Sequence, residues 1–232
     1  MSDFFRFPST PHLAWLGKHE PPREDKMLTP SQINELLSGE VKVEEKLDGA
    51  NIGISVWDGK NIRIQNRGQY LTEPYIGQFS RLSFWLTKHA SSLISKISPN
   101  LIVYGEWCAA RHSLNYELLP DFFLMFDVFD KKEGRFWSAV KRDSFAREIG
   151  LAVVPTIATH QNPNLSELMT IVNKKNSQFR KGQPMEGIII RKDSAEWCEL
   201  RAKLVREDFT QCISEHWSKR TIEWNQIDYG SI

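Results

Sequence analysis

An α+β fold of mostly antiparallel sheets packed against helices follows from three observations. Strand-like segments alternate with helix-like ones, the strand candidates are rich in β-branched and aromatic residues, and several carry a two-residue apolar period broken by hairpin signals. The 232 residues suffice for one large domain with a sizeable core, and the chain reads as a single domain over residues 1–232. No internal repeat, low-complexity stretch or linker interrupts it.

Thr29 is an N-cap with Pro30 at the first helical position, which starts a helix through Leu37 that Gly39 ends. Val41, Val43 and Leu47 share one strand parity, and Ile52, Ile54 and Val56 repeat at every second position, so 41–56 reads as extended chain. Gly49 is expected to make a turn inside it, as a residue free to adopt φ above zero. Asp58-Gly59 is a hairpin signal, after which Ile62 and Ile64 resume the alternation. Gln78 to Ile97 predicts a longer helix, closed by Pro99. Leu101–Trp107, Phe122–Phe129, Leu151–Ile157, Glu186–Arg191 and Glu199–Val205 are the remaining strand candidates. Ser138 caps a helix that stops at Gly150, Leu165 to Asn173 makes another, and Asp208 to Lys219 the last.

Composition narrows the functional classes. A hydrophobic content of 41% and a charged content of 25% are those of an ordinary globular protein. No apolar run approaches the ~20 residues that span a bilayer. The first eight residues lack a basic n-region and an apolar h-region, so no secretory signal is read and a cytoplasmic location is expected. Cys108, Cys198 and Cys212 are odd in number and widely separated, which fits reduced thiols, and the six histidines show no paired ligand spacing. His112 reads as a surface or hydrogen-bonded histidine. With a net charge of +1, any grip on nucleic acid falls to local basic patches. The candidates are Arg191-Lys192, Arg201 with Lys203 and Arg206, Lys174-Lys175, Arg180-Lys181 and Lys219-Arg220, the last three of which also read as solvated faces.

The residues that carry chemistry begin with Lys46-Leu47-Asp48-Gly49, at the end of the alternating Val41–Glu45 and ahead of Ala50-Asn51-Ile52-Gly53-Ile54. A lysine at a strand end beside a turn reads as a covalent nucleophile or as a surface turn. Lysine suits the first role because its compact ammonium can lose a proton and its amine can form a bond to phosphorus, which arginine does not do. A free lysine is almost wholly protonated at pH 7, so burial and a neighbouring metal cation are expected to depress its pKa. Glu106 lies in an apolar strand, where a carboxylate needs a partner; an ion pair with Arg67 is one choice. Arg67 itself follows a strand and also reads as a solvated hairpin arginine. Phe126 offers a ring that either fills core or stacks on a purine, the latter worth about 1–3 kcal/mol. Phe122, Phe123 and Phe129 read as core.

Four further segments follow in fixed order: Asn66-Arg67-Gly68; Tyr104-Gly105-Glu106-Trp107; Phe122 to Val128; and Glu186 to Lys192 with Leu200 to Leu204. With Lys46–Gly49 they resemble the covalent nucleotidyltransferase superfamily of ligases and capping enzymes, most closely its ATP-dependent RNA ligases. The resemblance runs from about Glu44 to Val205. The N-terminal forty residues carry no matched motif.

The resemblance implies an ATP-grasp-like nucleotidyltransferase domain in which Lys46 is the nucleophile. It implies that Glu45, Asn51 and Arg67 contact the nucleotide, that Glu106 holds the ribose hydroxyls and that Phe126 covers the base. Glu186 then helps to hold Mg²⁺ or Mn²⁺, a hard cation that prefers carboxylate and phosphate oxygens. Lys203 meets the α-phosphate as negative charge builds on it. Where the family usually has Lys-x-Lys this chain has Arg201-Ala202-Lys203, so Arg201 keeps the charge and changes its shape.

The implied activity is ATP-dependent joining of RNA 3′-hydroxyl and 5′-phosphate ends through lysyl-AMP, as in RNA repair, with an accessory RNA-binding protein as a candidate partner. Some twenty-five residues after Val205 leave no room for an OB-fold domain, which disfavours capping. A small ATP-dependent DNA ligase is the second enzyme reading. The third reading is a nucleotide-binding regulatory domain without end joining, against which the intact Lys46, Glu106 and Glu186 argue.

Overall fold

The computed structural model describes residues 4–18, 26–211 and 221–230. Helix α1, Pro30–Leu37, starts where expected, and its cap is reciprocal. The Thr29 hydroxyl accepts from the Gln32 N–H at 3.3 Å, and the Gln32 side chain accepts from the Thr29 N–H at 3.0 Å. The extended chain that follows is two strands rather than one: β1, Glu40–Lys46, and β2, Ala50–Val56. They belong to different sheets, and Leu47–Gly49 is the crossover between them.

Strand β1 pairs antiparallel with β9, Thr156–Gln161, and with β10, Gly187–Asp193, which in turn pairs with β11, Cys198–Val205. This four-stranded sheet has the order β11-β10-β1-β9. The larger sheet runs β4-β3-β2-β5-β6-β7. Its members are β2, β3 (Ile62–Gln65), β4 (Tyr70–Leu71), β5 (Leu101–Trp107), β6 (Phe123–Asp130) and β7 (Arg135–Phe136). The two-residue strand β8, Ala152–Val153, adds to β6 as the one parallel pair among these named strands.

The apolar parity of the strands decides what covers each sheet. Val41, Val43, Ile188, Ile190 and Leu204 pack against Leu36 of α1 and Leu168 and Val172 of α4, Leu165–Lys174. Ile52, Ile54, Val103, Phe123 and Met125 pack against Leu82, Trp85 and Leu93 of α2, Leu82–Lys96, and Ile149 of α3, Ala139–Ile149. Each such fully buried side chain is worth roughly 1.5–3 kcal/mol in transfer free energy.

Charged side chains tie the two layers together. Arg142 of α3 donates to Glu44 of β1 at 2.7 Å, and Arg191 of β10 donates to Asp127 of β6 at 2.7 Å, with both arginines fully buried. A buried ion pair adds little over an apolar substitute, yet losing one partner leaves a charge without solvent and costs about 3–5 kcal/mol. The pairs therefore fix how β1 and β10 sit relative to β6 more than they raise stability.

Three expectations need correction. The long helix begins at Leu82, because Gly77–Phe79 forms a 3₁₀ turn whose Gln78 carbonyl accepts from the Trp107 indole at 2.8 Å. Leu151–Ile157 is not one strand. Val154 donates to Met125 of the larger sheet, while the carbonyl of Pro155 accepts from Glu45 of the smaller one, so the chain crosses between sheets there. Gly49 is not in the positive-φ region; a Cβ on it would lie 2.6 Å from the Trp107 carbonyl, so glycine is needed for close approach. Of the last helix, α5 occupies Glu207–Gln211. Its expected continuation to Lys219, with Cys212, lies outside the described residues.

Candidate active site

The two crossovers and the facing ends of β1, β10, β11, β5 and β6 enclose a cavity of about 410 Å³. Glu45, Lys46, Asn51, Arg67, Glu106, Phe126, Glu186, Arg201 and Lys203 all line it. Residues up to 158 positions apart in sequence, Glu45 and Lys203, thus share one wall system because β1 pairs with β10 and β10 with β11.

Lys46 ends β1 and turns into the cavity, with Nζ 2.6 Å from Oε1 of Glu186. Burial alone would push this amine down, but the carboxylates of Glu186, Glu106 and Asp48 outweigh it and the net direction is up. The expected depression is therefore not a property of the free protein, which holds Lys46 as an ammonium. Glu186 sits just before β10, and its second oxygen, Oε2, is buried without a hydrogen-bond partner. Burial pushes Glu186 up to about 7 despite the ammonium beside it. Gly187 follows because a Cβ there would lie 2.4 Å from the Leu204 carbonyl, which keeps β11 close.

Glu106 of β5 accepts from the Gly49 N–H at 3.0 Å and forms no ion pair with Arg67, which is exposed at the cavity mouth. Burial pushes Glu106 up to about 7 against the pull of Lys46 and Arg67. Asp48 holds the crossover in place: its Oδ2 accepts from the Ser113 and Leu114 N–H groups, each at 2.7 Å, and its own N–H donates to the Tyr116 hydroxyl at 2.8 Å. That accounts for the aspartate of the lysine motif.

Glu45 lines the cavity beside Lys46 and is anchored from the connection between α4 and β10. Its Oε2 accepts from the Gln178 N–H at 3.0 Å while Oε1 is buried with no donor, as is Oδ1 of Asn51. Burial pushes Glu45 up as well. Phe126 is half-buried and meets Phe7 edge-on at 5.2 Å. Arg201 is paired with Asp127, and its guanidinium lies 4.7 Å from the Phe7 ring centre and 4.2 Å from that of Phe136. Lys203 has no acidic partner among the described residues, and burial followed by the neighbouring Lys46 pushes it down to about 8.

Several basic patches turn out to be structural. Arg191 is buried on Asp127, and Lys192 donates to the Glu35 carbonyl and the Ser38 hydroxyl at the end of α1. Arg180 donates to the carbonyls of Asn115 and Pro184, and Arg206 pairs with Asp208. His112 is bonded to Gln78 at 2.8 Å. Lys174 and Lys175 are exposed at the end of α4, while Lys219 and Arg220 lie outside the described residues.

The unmatched N-terminal segment supplies a wall that sequence reasoning missed. Phe7, Ser9, Thr10, His12 and Trp15 all line the cavity. Nothing in their spacing announces this; it depends on Pro11 and Leu13 pairing through backbone bonds with Lys203.

The carboxylates give the site a pH signature. Between its ordinary value of 4.5 and about 7, folded Glu106 keeps a proton that the unfolded chain has lost, so its contribution favours the fold at low pH and is lost as pH rises through 7. Glu106→Gln keeps an acceptor for Gly49 and removes the titration. Urea denaturation should show the wild type losing about 1–3 kcal/mol more than the variant between pH 5 and pH 8. Parallel pH profiles would remove Glu106 from this account.

The RNA ligase family profile matches residues 39–205. Among solved structures, the Naegleria gruberi RNA ligase with PPi is 18% identical, with a TM-score of 0.63 over 78% of this chain and 53% of that one. A lysine-to-alanine variant of the same enzyme, with ATP and Mn, is 18% identical with a TM-score of 0.64, over 88% of this chain and 63% of that one. A lysine-to-methionine variant with AMP and Mn gives 0.56 at 15% identity, over 89% and 63%. The chain therefore spans between about half and two thirds of the solved structures it matches, and what it shares with them is the fold. No curated protein matches the chain.

Proposed function

Since the chain belongs to the RNA ligase family, we propose that it is an ATP-dependent RNA ligase, one adenylyltransferase unit over residues 1–232, that joins 3′-hydroxyl and 5′-phosphate ends through lysyl-AMP at Lys46. The observation that carries this reading is the placement of the Lys46 amine in the cavity, 2.6 Å from Glu186, with the unpaired Lys203 on the same sheet.

In the first step the neutral Lys46 amine attacks the α-phosphorus of ATP. The N–P bond forms, the bond from that phosphorus to the bridging oxygen breaks, and pyrophosphate leaves with the electron pair. Glu186, 2.6 Å from the amine, is the nearest acceptor for the proton that Lys46 must lose. Lys203 stabilises the charge that builds on the α-phosphate. The orphaned Glu45 Oε1 is an acceptor suited to the exocyclic amine of adenine, a group that guanine lacks at that position, and the Phe126 ring suits the base face. AMP then passes to a 5′-phosphate, and a 3′-hydroxyl displaces it to form the phosphodiester.

Among the described residues no cluster of three or more His, Cys, Asp or Glu side chains forms a cage for a cation. The free Oε2 of Glu186 fits the other arrangement, in which Mg²⁺ or Mn²⁺ is held by one carboxylate, phosphate oxygens and water. Such a cation supplies charge neutralisation on the phosphates. The Naegleria gruberi RNA ligase structures that contain ATP and Mn support a divalent cation beside the nucleotide. No helix among the described residues is long and apolar enough to cross a membrane. The small net charge leaves the grip on RNA ends to local groups such as Arg67 at the cavity mouth, or to an accessory RNA-binding protein.

Joining should require ribose on the 3′-hydroxyl side of the break more than on the 5′-phosphate side, since the 2′-hydroxyl is the group by which a protein tells RNA from DNA. Sealing rates are to be compared on matched nicks that differ only in the terminal 3′ sugars. Equal or faster sealing of the all-deoxy 3′ end would favour a small DNA ligase instead.

A further inference from the structure

We propose that His12 is a phosphate-binding residue of this pocket, donating from Nδ1 to the β- and γ-phosphates of ATP, which leave as pyrophosphate. This rests on the ligase reading of the same site and adds a residue from the segment that carries no family motif.

His12 is only 7% exposed, it lines the cavity, and its Nδ1 is buried with no hydrogen-bond partner. A buried polar atom left without a partner is costly, and a ligand that accepts from it relieves that cost. The ring is held from both sides of its backbone. His12 donates to the Lys26 carbonyl at 2.7 Å, its own carbonyl accepts from Leu28 at 3.0 Å, and the Trp15 ring lies edge-on at 5.2 Å. Farther back, Phe5 stacks on Phe129 at 3.7 Å, and its carbonyl accepts from the Tyr104 hydroxyl at 2.6 Å. The segment is thus fastened to both sheets.

The row of strands gives the position along the nucleotide. Lys46 ends β1 opposite Gly187 of β10, Lys203 lies on β11, and His12 bridges Lys203 in parallel from outside β11. Bridge partners lie side by side on one face of a sheet. At about 4.8 Å per strand, His12 stands roughly 14 Å across the sheet from the Lys46 backbone, beyond Lys203. Displacement at phosphorus is in line, so the leaving oxygen lies on the far side of the α-phosphate from the Lys46 amine. With the α-phosphate between Lys46 and Lys203, the leaving group lies toward His12.

The chemistry agrees with that position. Phosphate oxygens only accept, so the Nδ1–H tautomer is the one that binds. Burial, then Lys203, Lys46 and Lys26, push the imidazole down to about 4, so the ring is a neutral donor and a poor base for Lys46. The same lysines favour an anion beside it. Ser9 and Thr10 line the same cavity.

The test separates the two halves of the reaction in the full chain. Labelling by α-labelled ATP needs the triphosphate, whereas sealing of an RNA whose 5′ end is already adenylylated involves no pyrophosphate. His12→Ala should slow labelling about 10-fold or more at subsaturating ATP and raise the KM for ATP, while sealing of the adenylylated end stays within about twofold of wild type. His12→Asn, which keeps an N–H donor, should recover part of the labelling. Wild-type labelling by His12→Ala, an equal loss in both reactions, or no recovery in His12→Asn would each overturn the assignment. A wild-type protein that neither labels nor seals the adenylylated end would instead overturn the ligase reading.

Discussion

Lys46→Ala and Lys46→Arg should both abolish covalent labelling of the protein by α-labelled ATP, with no pyrophosphate released above background. Alanine removes the amine. Arginine keeps the charge beside Glu186 but stays protonated, so its nitrogens offer no lone pair to phosphorus. The arginine variant is the sharper of the two, because it tests nucleophilicity separately from the ion pair at 2.6 Å. Removing the lysine frees Glu186 from its partner in a site where burial already raises its pKa to about 7, so Glu186 can take up a proton near neutral pH. The fold should therefore survive, and thermal denaturation of both variants checks that loss of labelling is not loss of structure. Strong labelling of Lys46→Ala would place the nucleophile elsewhere.

The second large effect is expected at Lys203. Lys203→Ala should slow lysyl-AMP formation by roughly 10²- to 10³-fold, the loss seen when a donor aimed at developing charge is removed. No other unpaired cation stands beside Lys46 on the smaller sheet: Arg201 is committed to Asp127 and packed between Phe7 and Phe136, and Arg191 is buried on the same aspartate. For that reason Arg201→Lys should retain much of the activity. Single-turnover labelling at saturating ATP distinguishes the two positions. A Lys203→Ala rate close to wild type would move the α-phosphate contact to another group.

The motif residues were legible because strand parity and order fix which side chains share a face. Lys46 and Lys203 lie on two strands and Glu186 just ahead of a third, the alternation of all three is plain in the sequence, and antiparallel pairing brings them together. Less legible was which sheet each strand joins. The apolar alternation changes parity across Leu47–Gly49, from Val41, Val43 and Leu47 to Ile52, Ile54 and Val56, a shift that marks a turn but not a change of sheet, and Leu151–Ile157 hides a second crossover at Val154-Pro155. Periodicity reports which face is buried and is silent about the partner strand. Charge was misread for a related reason. Arg191 looks like a surface cation beside Lys192, but alternation turns it inward onto Asp127, which only the neighbouring sheet could reveal. His12 gave no signal at all, because a lone histidine in an unpatterned segment acquires its place only when Pro11 and Leu13 pair with Lys203.

The central claim is that Lys46 carries AMP on its way to an RNA end. Its most direct test is to label the protein with α-labelled ATP and Mg²⁺, remove free nucleotide, and chase with RNA bearing a 5′-phosphate and a 3′-hydroxyl. The account predicts that label leaves the protein, appears first on the RNA 5′ end, and is released as AMP while joined RNA accumulates. Label that stays on the protein, or that enters the protein from GTP in preference to ATP, would contradict it.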